Sequence, residues 1–127
     1  VRLNLAKNPA GFNKNIDVLM QDEGRKDILI VINDRVQDGR DVSWLWDVDF
    51  ERLAKSDTGL IMVSGIRCRD LMLRMKYAGI VAEMEAGTAE AVRRSVREGC
   101  GKLYVLVNYT ALFDTRNILT VHAGGRL

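Results

Sequence analysis

The sequence predicts an α/β fold in which helices cover both faces of a mainly parallel β-sheet. Runs of branched apolar residues alternate along the chain with segments of helical periodicity, a pattern typical of βαβ units. Three of the runs are apolar at nearly every position, as expected of strands buried on both faces. The length of 127 residues suits one hydrophobic core, so residues 1–127 are expected to form a single domain.

A short strand and an amphipathic helix are predicted at the beginning of the chain. Residues 3–6 have an extended pattern, and residues 9–22 carry the apolar stripe of a helix at Phe12, Ile16, Leu19 and Met20. Asn8 is the predicted N-cap, and Pro9 is the predicted first helical residue, where the missing N–H of proline costs no hydrogen bond.

The three buried strands are predicted at residues 28–32, 59–63 and 103–107. After the second of them, residues 66–78 have the spacing of a helix with one apolar face, formed by Ile66, Leu71, Met75 and Ala78. A brief strand is predicted at residues 80–82.

A further helix is predicted at residues 88–98, with Thr88 as the N-cap and Gly99 as the stop signal. Its expected inward residues are Ala89, Val92 and Val96. The tail from residue 115 onward is the least regular part, and residues 118–121 fit either the end of a helix or an edge strand.

The composition excludes several classes of protein. Nineteen basic and seventeen acidic residues give a net charge of +2, which lacks the strong basic excess of a nucleic-acid-binding domain. No apolar run approaches the length of a membrane span, and the N-terminus lacks the regions of a signal peptide. Cys68 and Cys100 have no CxxC partner, which disfavours a disulfide scaffold and a zinc site and favours a cytoplasmic location. Because the chain begins with Val1, we expect it to be a domain excised from a longer subunit.

The most unusual segment is residues 33–51, which follow directly on the most hydrophobic strand. It contains both tryptophans, Trp44 and Trp46, and six carboxylates: Asp34, Asp38, Asp41, Asp47, Asp49 and Glu51. Sites in open α/β sheets lie outside the carboxyl ends of the strands, where this segment is expected. Three interpretations remain open from the residues alone. The spacing Asp47-x-Asp49-x-Glu51 permits Mg²⁺ ligation, one carboxylate could orient a histidine, or the acids and tryptophans could form a protein-docking surface.

A second candidate site lies where the first strand passes into the first helix. Lys7 and Asn8 stand at this junction, so a lysine and the backbone N–H groups of a helix N-terminus point to the same place. This arrangement predicts a binding site for a carboxylate or a phosphate, although plain helix capping also explains Asn8. The chain has no GxGxxG, GxxxxGK[ST] or GxSxG motif, so a complete nucleotide site and a nucleophile elbow are not predicted.

Three segments carry a family resemblance: LAKNPAGFN at residues 5–13, the acidic stretch at residues 33–51 with NDR at 33–35 and DGRDVSWLWDVDFE at 38–51, and YVLVNYTAL at residues 104–112. Together they closely resemble the C-terminal domain of the MurT family, the Mur-ligase-like subunits of lipid II isoglutaminyl synthase. The resemblance covers residues 3 to about 112. It implies a Rossmann-like three-layer domain of the Mur ligase C-terminal type.

The resemblance also implies an activity and partners. Enzymes of this family amidate the α-carboxyl of D-glutamate in the lipid II stem peptide during peptidoglycan synthesis. They use ATP with Mg²⁺ to form an acyl-phosphate, and ammonia from glutamine. The glutamine is hydrolysed by a separate amidotransferase subunit, GatD, with a cysteine and a histidine. The third member of that triad is thought to be an aspartate of the MurT domain. Here we expect it to be Asp41, with Asp38 second and Asp47 third.

The remaining expectations follow from the same resemblance. Lys7 and Asn8 would face the ligase cleft and bind substrate, and Trp44 and Trp46 would contact the partner subunit. The ATP-binding middle domain is not in this chain, so the isolated fragment is expected to be inactive and to bind neither ATP nor a metal of its own. Lipid II would be met at the inner face of the membrane, with no nucleic acid and no transmembrane segment involved. A non-catalytic docking module is the main alternative, and a Mg²⁺-dependent phosphotransfer domain using Asp34, Asp47 and Asp49 is a weaker one.

Overall fold

The structure is a computed structural model that describes residues 1–35, 38–39 and 41–122. Five parallel strands form one sheet in the order β1-β5-β2-β3-β4. The strands are β1 (Arg2–Leu5), β2 (Lys26–Val31), β3 (Thr58–Ser64), β4 (Glu83–Met84) and β5 (Leu103–Val107). The helices are α1 (Pro9–Gln21), α2 (Cys68–Tyr77), α3 (Thr88–Glu98) and α4 (Tyr109–His122). The predicted α/β class, with a Rossmann-like three-layer arrangement, is confirmed.

Two hydrophobic layers enclose the sheet. Alternate residues of β2 point to opposite faces, so Ile28 and Ile30 pack with α1 and α2, whereas Leu29 and Val31 pack with α3 and α4. Every residue of β2 is buried. The chain moves across one face in one direction and returns across the other through α3, as right-handed crossovers require.

The bounds of α2 and β4 correct two expectations. The helix begins at Cys68, and Ile66 stands outside it and is exposed, because the chain first makes a turn at Gly65, where φ is +95°. The predicted strand at residues 80–82 is instead a connection, and the strand is Glu83–Met84. Ile80 and Ala82 are buried by α2, whereas Val81 between them is 95% exposed.

The inward face of α3 also differs from its prediction. The N-cap is Gly87 and Thr88 is the first helical residue. The buried residues are Ala91, Val92 and Ser95, while Val96 is exposed and Ala89 is only partly buried. The helix therefore lies with its small residues against the sheet, which allows it to approach β3 and β2 closely.

The two segments that were hardest to interpret are helical. The acidic segment contains two short 3-10 helices, Ser43–Asp47 and Phe50–Lys55. The tail forms α4 as far as His122, and residues 123–127 lie outside the described part of the chain. None of the helices among the described residues has the length and apolar character needed to cross a membrane.

Candidate functional site

A pocket of about 320 Å³ lies at the carboxyl edge of the sheet. It is lined by residues that follow three neighbouring strands: Lys7 after β1, Asp38 and Trp44 after β2, and Asn108 and Tyr109 after β5. The helix after β5 lies on one face of the sheet, and the segments after β1 and β2 lie on the other. The pocket therefore occupies a topological switch point, which is where ligands bind in open α/β sheets.

Two asparagines fix the backbone beneath this edge. The side chain of Asn108 accepts a hydrogen bond from the Asn33 N–H at 3.0 Å and donates one to the Asn33 carbonyl at 2.7 Å. The Asn33 side chain in turn accepts the N–H of Ile66 at 3.0 Å. Both asparagines are buried, so these bonds satisfy polar groups that water does not reach. The ends of β5, β2 and β3 are thereby held in register.

Asp38 is tied to the first turn of α4. Its carboxylate accepts the backbone N–H of Thr110 at 2.7 Å and the hydroxyl of the same residue. It also accepts the N–H of Arg35 at 3.2 Å. A carboxylate in this place satisfies an N–H group that the helix leaves unpaired and interacts favourably with the helix dipole. Asp38 therefore has a structural task, and both of its oxygens are engaged.

Asp41 has a different environment. It is exposed, and one of its oxygens accepts the backbone N–H of Ser43 at 2.9 Å, next to the start of the first 3-10 helix. This backbone hydrogen bond holds the pKa of Asp41 below its ordinary value, and the positive charge of Arg67 acts in the same direction. Because its pKa is lowered, the Asp41 carboxylate is charged at neutral pH. It is also accessible, since the residue is exposed and forms no ion pair within the described ranges.

The two tryptophans point to different places. Trp44 is half-buried, lines the pocket and packs on Phe12 with 5.5 Å between ring centroids. Trp46 is exposed and packs edge-to-face on Tyr77 of α2 at 5.3 Å, on the outer surface away from the pocket. Asp47, beside Trp46 in the sequence, is exposed and does not line the pocket.

Arg74 holds the acidic segment against α2. Its guanidinium is almost fully buried and donates to the carbonyls of Leu45 at 3.0 Å and Val48 at 2.6 Å. It also forms a two-point ion pair with Glu51, at 2.9 and 2.8 Å, which lowers the pKa of Glu51. The rings of Trp46 and Phe50 lie over it at 5.3 and 5.4 Å. One planar cation thus organises both 3-10 helices.

Lys7 and Asn8 separate into two roles. The Asn8 side chain accepts the N–H of Gly11 at 2.8 Å, so it caps α1 as predicted. Lys7 is exposed, lines the pocket and has no carboxylate within 4.0 Å among residues 1–35, 38–39 and 41–122. A positive charge without an internal partner is free to bind an anion from solution.

The carboxylates proposed for Mg²⁺ are not gathered into a metal site. Asp34 pairs with Arg67 at 3.0 Å, Asp49 with Arg52 at 3.2 Å, and Glu51 with Arg74. In the described part of the chain no three acidic, histidine or cysteine side chains are placed to hold a metal ion. The described residues therefore do not support the phosphotransfer alternative, since Asp34 and Asp49 pair with arginines and Asp47 is not grouped with two further ligands.

The structure brings together Lys7, Asp38 and Trp44, places Asp41 beyond the pocket lining, and leaves Asp47 and Trp46 elsewhere. Sequence reasoning assigned no role to Asn108, Tyr109 or Arg74. Asn108 and Asn33 could have been found because each is a polar residue that follows directly on a buried apolar run. A charged residue at an inward helical position, between Leu71 and Met75, signals Arg74.

Comparisons with known proteins identify the family of this chain. Residues 5–112 match the family described as MurT ligase C-terminal. The subunit MurT of a lipid II isoglutaminyl synthase (glutamine-hydrolyzing) from Staphylococcus aureus (strain COL) is 41% identical over 114 residues, which cover 87% of this chain and 25% of that protein. Its counterpart from Streptococcus pneumoniae (strain ATCC BAA-255 / R6) is 31% identical over 118 residues, covering 91% and 26%. The chain thus spans about a quarter of the length of the curated relatives it matches.

Proposed function

Because the chain belongs to the MurT ligase C-terminal family, we propose that it serves in a subunit that amidates the α-carboxyl of D-glutamate in the lipid II stem peptide. The nitrogen comes from glutamine, which a GatD-type amidotransferase subunit hydrolyses with its cysteine and histidine. The relatives are named as subunits of lipid II isoglutaminyl synthase (glutamine-hydrolyzing), which supports this reaction. The work is done on the cytoplasmic side of the membrane.

In this proposal Asp41 completes the triad of the partner. Its role is to accept the N–H of the partner's histidine, which fixes the productive tautomer and stabilises the imidazolium that forms when the cysteine loses its proton. The observation that carries this assignment is that Asp41 is accessible, has no ion pair among the described residues and is oriented by the Ser43 N–H, whereas the equally exposed Asp47 accepts no hydrogen bond there. By contrast, Asp34, Asp49 and Glu51 form ion pairs with arginines, and Asp38 is hydrogen-bonded to the first turn of α4.

Lys7 has the second role. It lies at the switch-point pocket beside Asn108 and Tyr109 and pairs with no carboxylate in the part of the chain that the structure describes. We assign it to an anionic group of the ligase substrate, which a charge-assisted hydrogen bond would orient. Asn8 contributes by shaping the start of α1, since its side-chain oxygen caps the helix.

The residues of this chain do not fit a complete ATP site. No glycine-rich phosphate loop precedes α1, and the N–H of Gly11 is occupied by Asn8. ATP and Mg²⁺ are therefore assigned to a middle domain outside this chain. The domain itself contributes Asp41 to one active centre and Lys7 to the other.

Reconstitution with the partner tests the proposal. Glutamine hydrolysis is measured for the amidotransferase subunit alone, with the full-length ligase subunit, and with a ligase subunit in which Asp38, Asp41 and Asp47 are all asparagine. We expect stimulation by the native subunit only, with complex formation retained by the variant. Normal stimulation by the triple variant would instead favour the docking alternative, in which the acidic segment and exposed residues such as Trp46 serve only as an interface.

A further inference from the structure

An open groove runs between α2 and β4 at the edge of the sheet farthest from β1. Its volume is about 720 Å³, and it is lined mainly by apolar side chains. Several of them project from the surface: Leu73 is 49% exposed, Val81 95% and Met84 42%. Tyr77, one helical turn after Leu73, is 71% exposed and extends the apolar surface toward Trp46. We call these residues the edge patch.

The charged side chains that line the groove, Arg69 and Lys76, are both basic. Within the described ranges neither has a carboxylate within 4.0 Å. The acids beside the groove are held by other arginines: Asp70 pairs with Arg67 at 2.8 Å, and Glu83 pairs at 2.6 Å with Arg94, which Glu85 and Glu98 share. Arg69 and Lys76 are seven residues apart on α2, so they lie on the same side of the helix. The patch therefore joins exposed apolar and aromatic side chains with two free cations.

We propose that the edge patch is a peripheral contact surface for an anionic lipid membrane. Aliphatic side chains that enter the boundary region, a tyrosine at headgroup level and flanking lysine or arginine are the features that bind proteins to such surfaces. The proposal rests on the proposed function in one respect: a lipid-linked substrate must be reached at a membrane.

Charge favours this occupant over the alternatives. A second copy docked through the same patch would bring four unpaired cations, Arg69 and Lys76 of each copy, into one interface, and like charges brought together there are unfavourable. Anionic headgroups, in contrast, complement both cations without requiring a shape matched to the groove. The apolar residues then gain by leaving water.

Sedimentation with vesicles tests the inference, using the full-length subunit in complex with its amidotransferase partner. We expect binding to vesicles of mixed phosphatidylcholine and phosphatidylglycerol, and much less binding to vesicles of phosphatidylcholine alone. Arg69→Glu with Lys76→Glu should weaken partition at least about tenfold, because each basic residue near an anionic surface is worth about fivefold. Leu73→Ser with Val81→Ser should also weaken it. The matched controls are Lys14→Glu with Lys55→Glu on other surfaces, and Phe113→Ser on α4.

Three results would overturn the inference. The first is a native complex that does not sediment with anionic vesicles. The second is a loss of binding in the controls as large as in the patch variants. The third is a change of subunit assembly, instead of vesicle binding, in the patch variants. The last result would assign the groove to a protein, whether a second copy, a partner or another part of the longer chain. Amidation of detergent-dispersed substrate is measured alongside. If amidation persists while vesicle binding is absent, the inference fails and the proposed function stands. If vesicle binding persists while amidation is absent, the proposed function fails and the membrane contact stands.

Discussion

Asp38 accepts the backbone N–H of Thr110 at 2.7 Å, which joins the acidic segment after β2 to the first turn of α4 after β5. This bond spans the switch point of the sheet and forms one wall of the pocket that Lys7 and Trp44 also line. The two aspartates of this segment therefore have different roles: Asp38 supports the fold, whereas Asp41 remains accessible.

The hydrogen bonds between the Asn108 side chain and the Asn33 backbone, which join the ends of β5 and β2, should be important for stability. Asn108→Ala removes the partner of both the N–H and the carbonyl of Asn33 in a buried place. We expect a loss of about 2–4 kcal/mol, since each buried polar group left unpaired costs about 1–3 kcal/mol. Denaturant unfolding measures the loss. Asn117→Ala, on the exposed side of α4, is the control and should change stability by less than about 0.5 kcal/mol.

Among the charged residues of α2, Arg74 should be the one whose replacement lowers the stability of the fold most. Arg74→Ala orphans the carbonyls of Leu45 and Val48 and removes the partner of Glu51, so we expect about 2–4 kcal/mol of destabilisation. Arg74→Lys should recover only part of this, because an ammonium cannot make the two-point contact. The exposed Arg93→Ala should have little effect although Arg93 also pairs with a glutamate. Equal losses of stability in Arg74→Ala and Arg93→Ala would contradict the role of Arg74 in holding the acidic segment against α2.

Acid stability should depend on Asp22. Hydrogen bonds from Lys102 and Tyr104 hold the pKa of Asp22 well below its ordinary value of 3.8. A folded-state pKa below the unfolded one gives stability that is present above about pH 4 and is lost as the pH falls further. Asp22→Asn should therefore flatten the decline in melting temperature between about pH 5 and pH 2. The exposed Glu23→Gln should leave the slope unchanged, and an unchanged slope in Asp22→Asn would contradict the assignment.

Lys7 should matter to amidation alone. In the full enzyme, Lys7→Ala is expected to slow amidation of lipid II by about one to two decades, the worth of one charge-assisted contact. Glutamine hydrolysis should remain close to normal, because Lys7 does not contact the acidic segment's accessible carboxylate. Both rates are measured in parallel, with Lys14→Ala on α1 as the charge control. Equal loss of both activities would show that Lys7 has a structural role.

Most of the fold could be predicted from the sequence because its signals are local. The run of apolar residues at 28–32 and the Asn8-Pro9 start of α1 each specify one structure, and both predictions are confirmed. Errors arose where tertiary packing decides. The inward face of α3 is set by how closely it approaches the sheet, so small residues face inward and Val96 does not.

The candidate site was only partly predictable for the same reason. Its place at the carboxyl edge follows from the α/β pattern, and the resemblance directs attention to the aspartates. Which carboxylate is free depends on arginines far away in the sequence, such as Arg67 and Arg74, whose partners no local pattern reveals. The separation of Trp44 from Trp46 likewise follows from their contacts with α1 and α2.

The most direct test is glutamine hydrolysis by the two-subunit complex carrying Asp41→Asn, which preserves shape but removes the charge. On the serine-protease precedent, we expect an intact complex whose hydrolysis falls by up to about 10⁴-fold, and free ammonia should restore part of the amidation. Asp38→Asn should affect stability more than catalysis, and Asp47→Asn should affect neither. Normal hydrolysis by Asp41→Asn, with loss in Asp38→Asn or Asp47→Asn, would contradict the assignment of the triad carboxylate to Asp41.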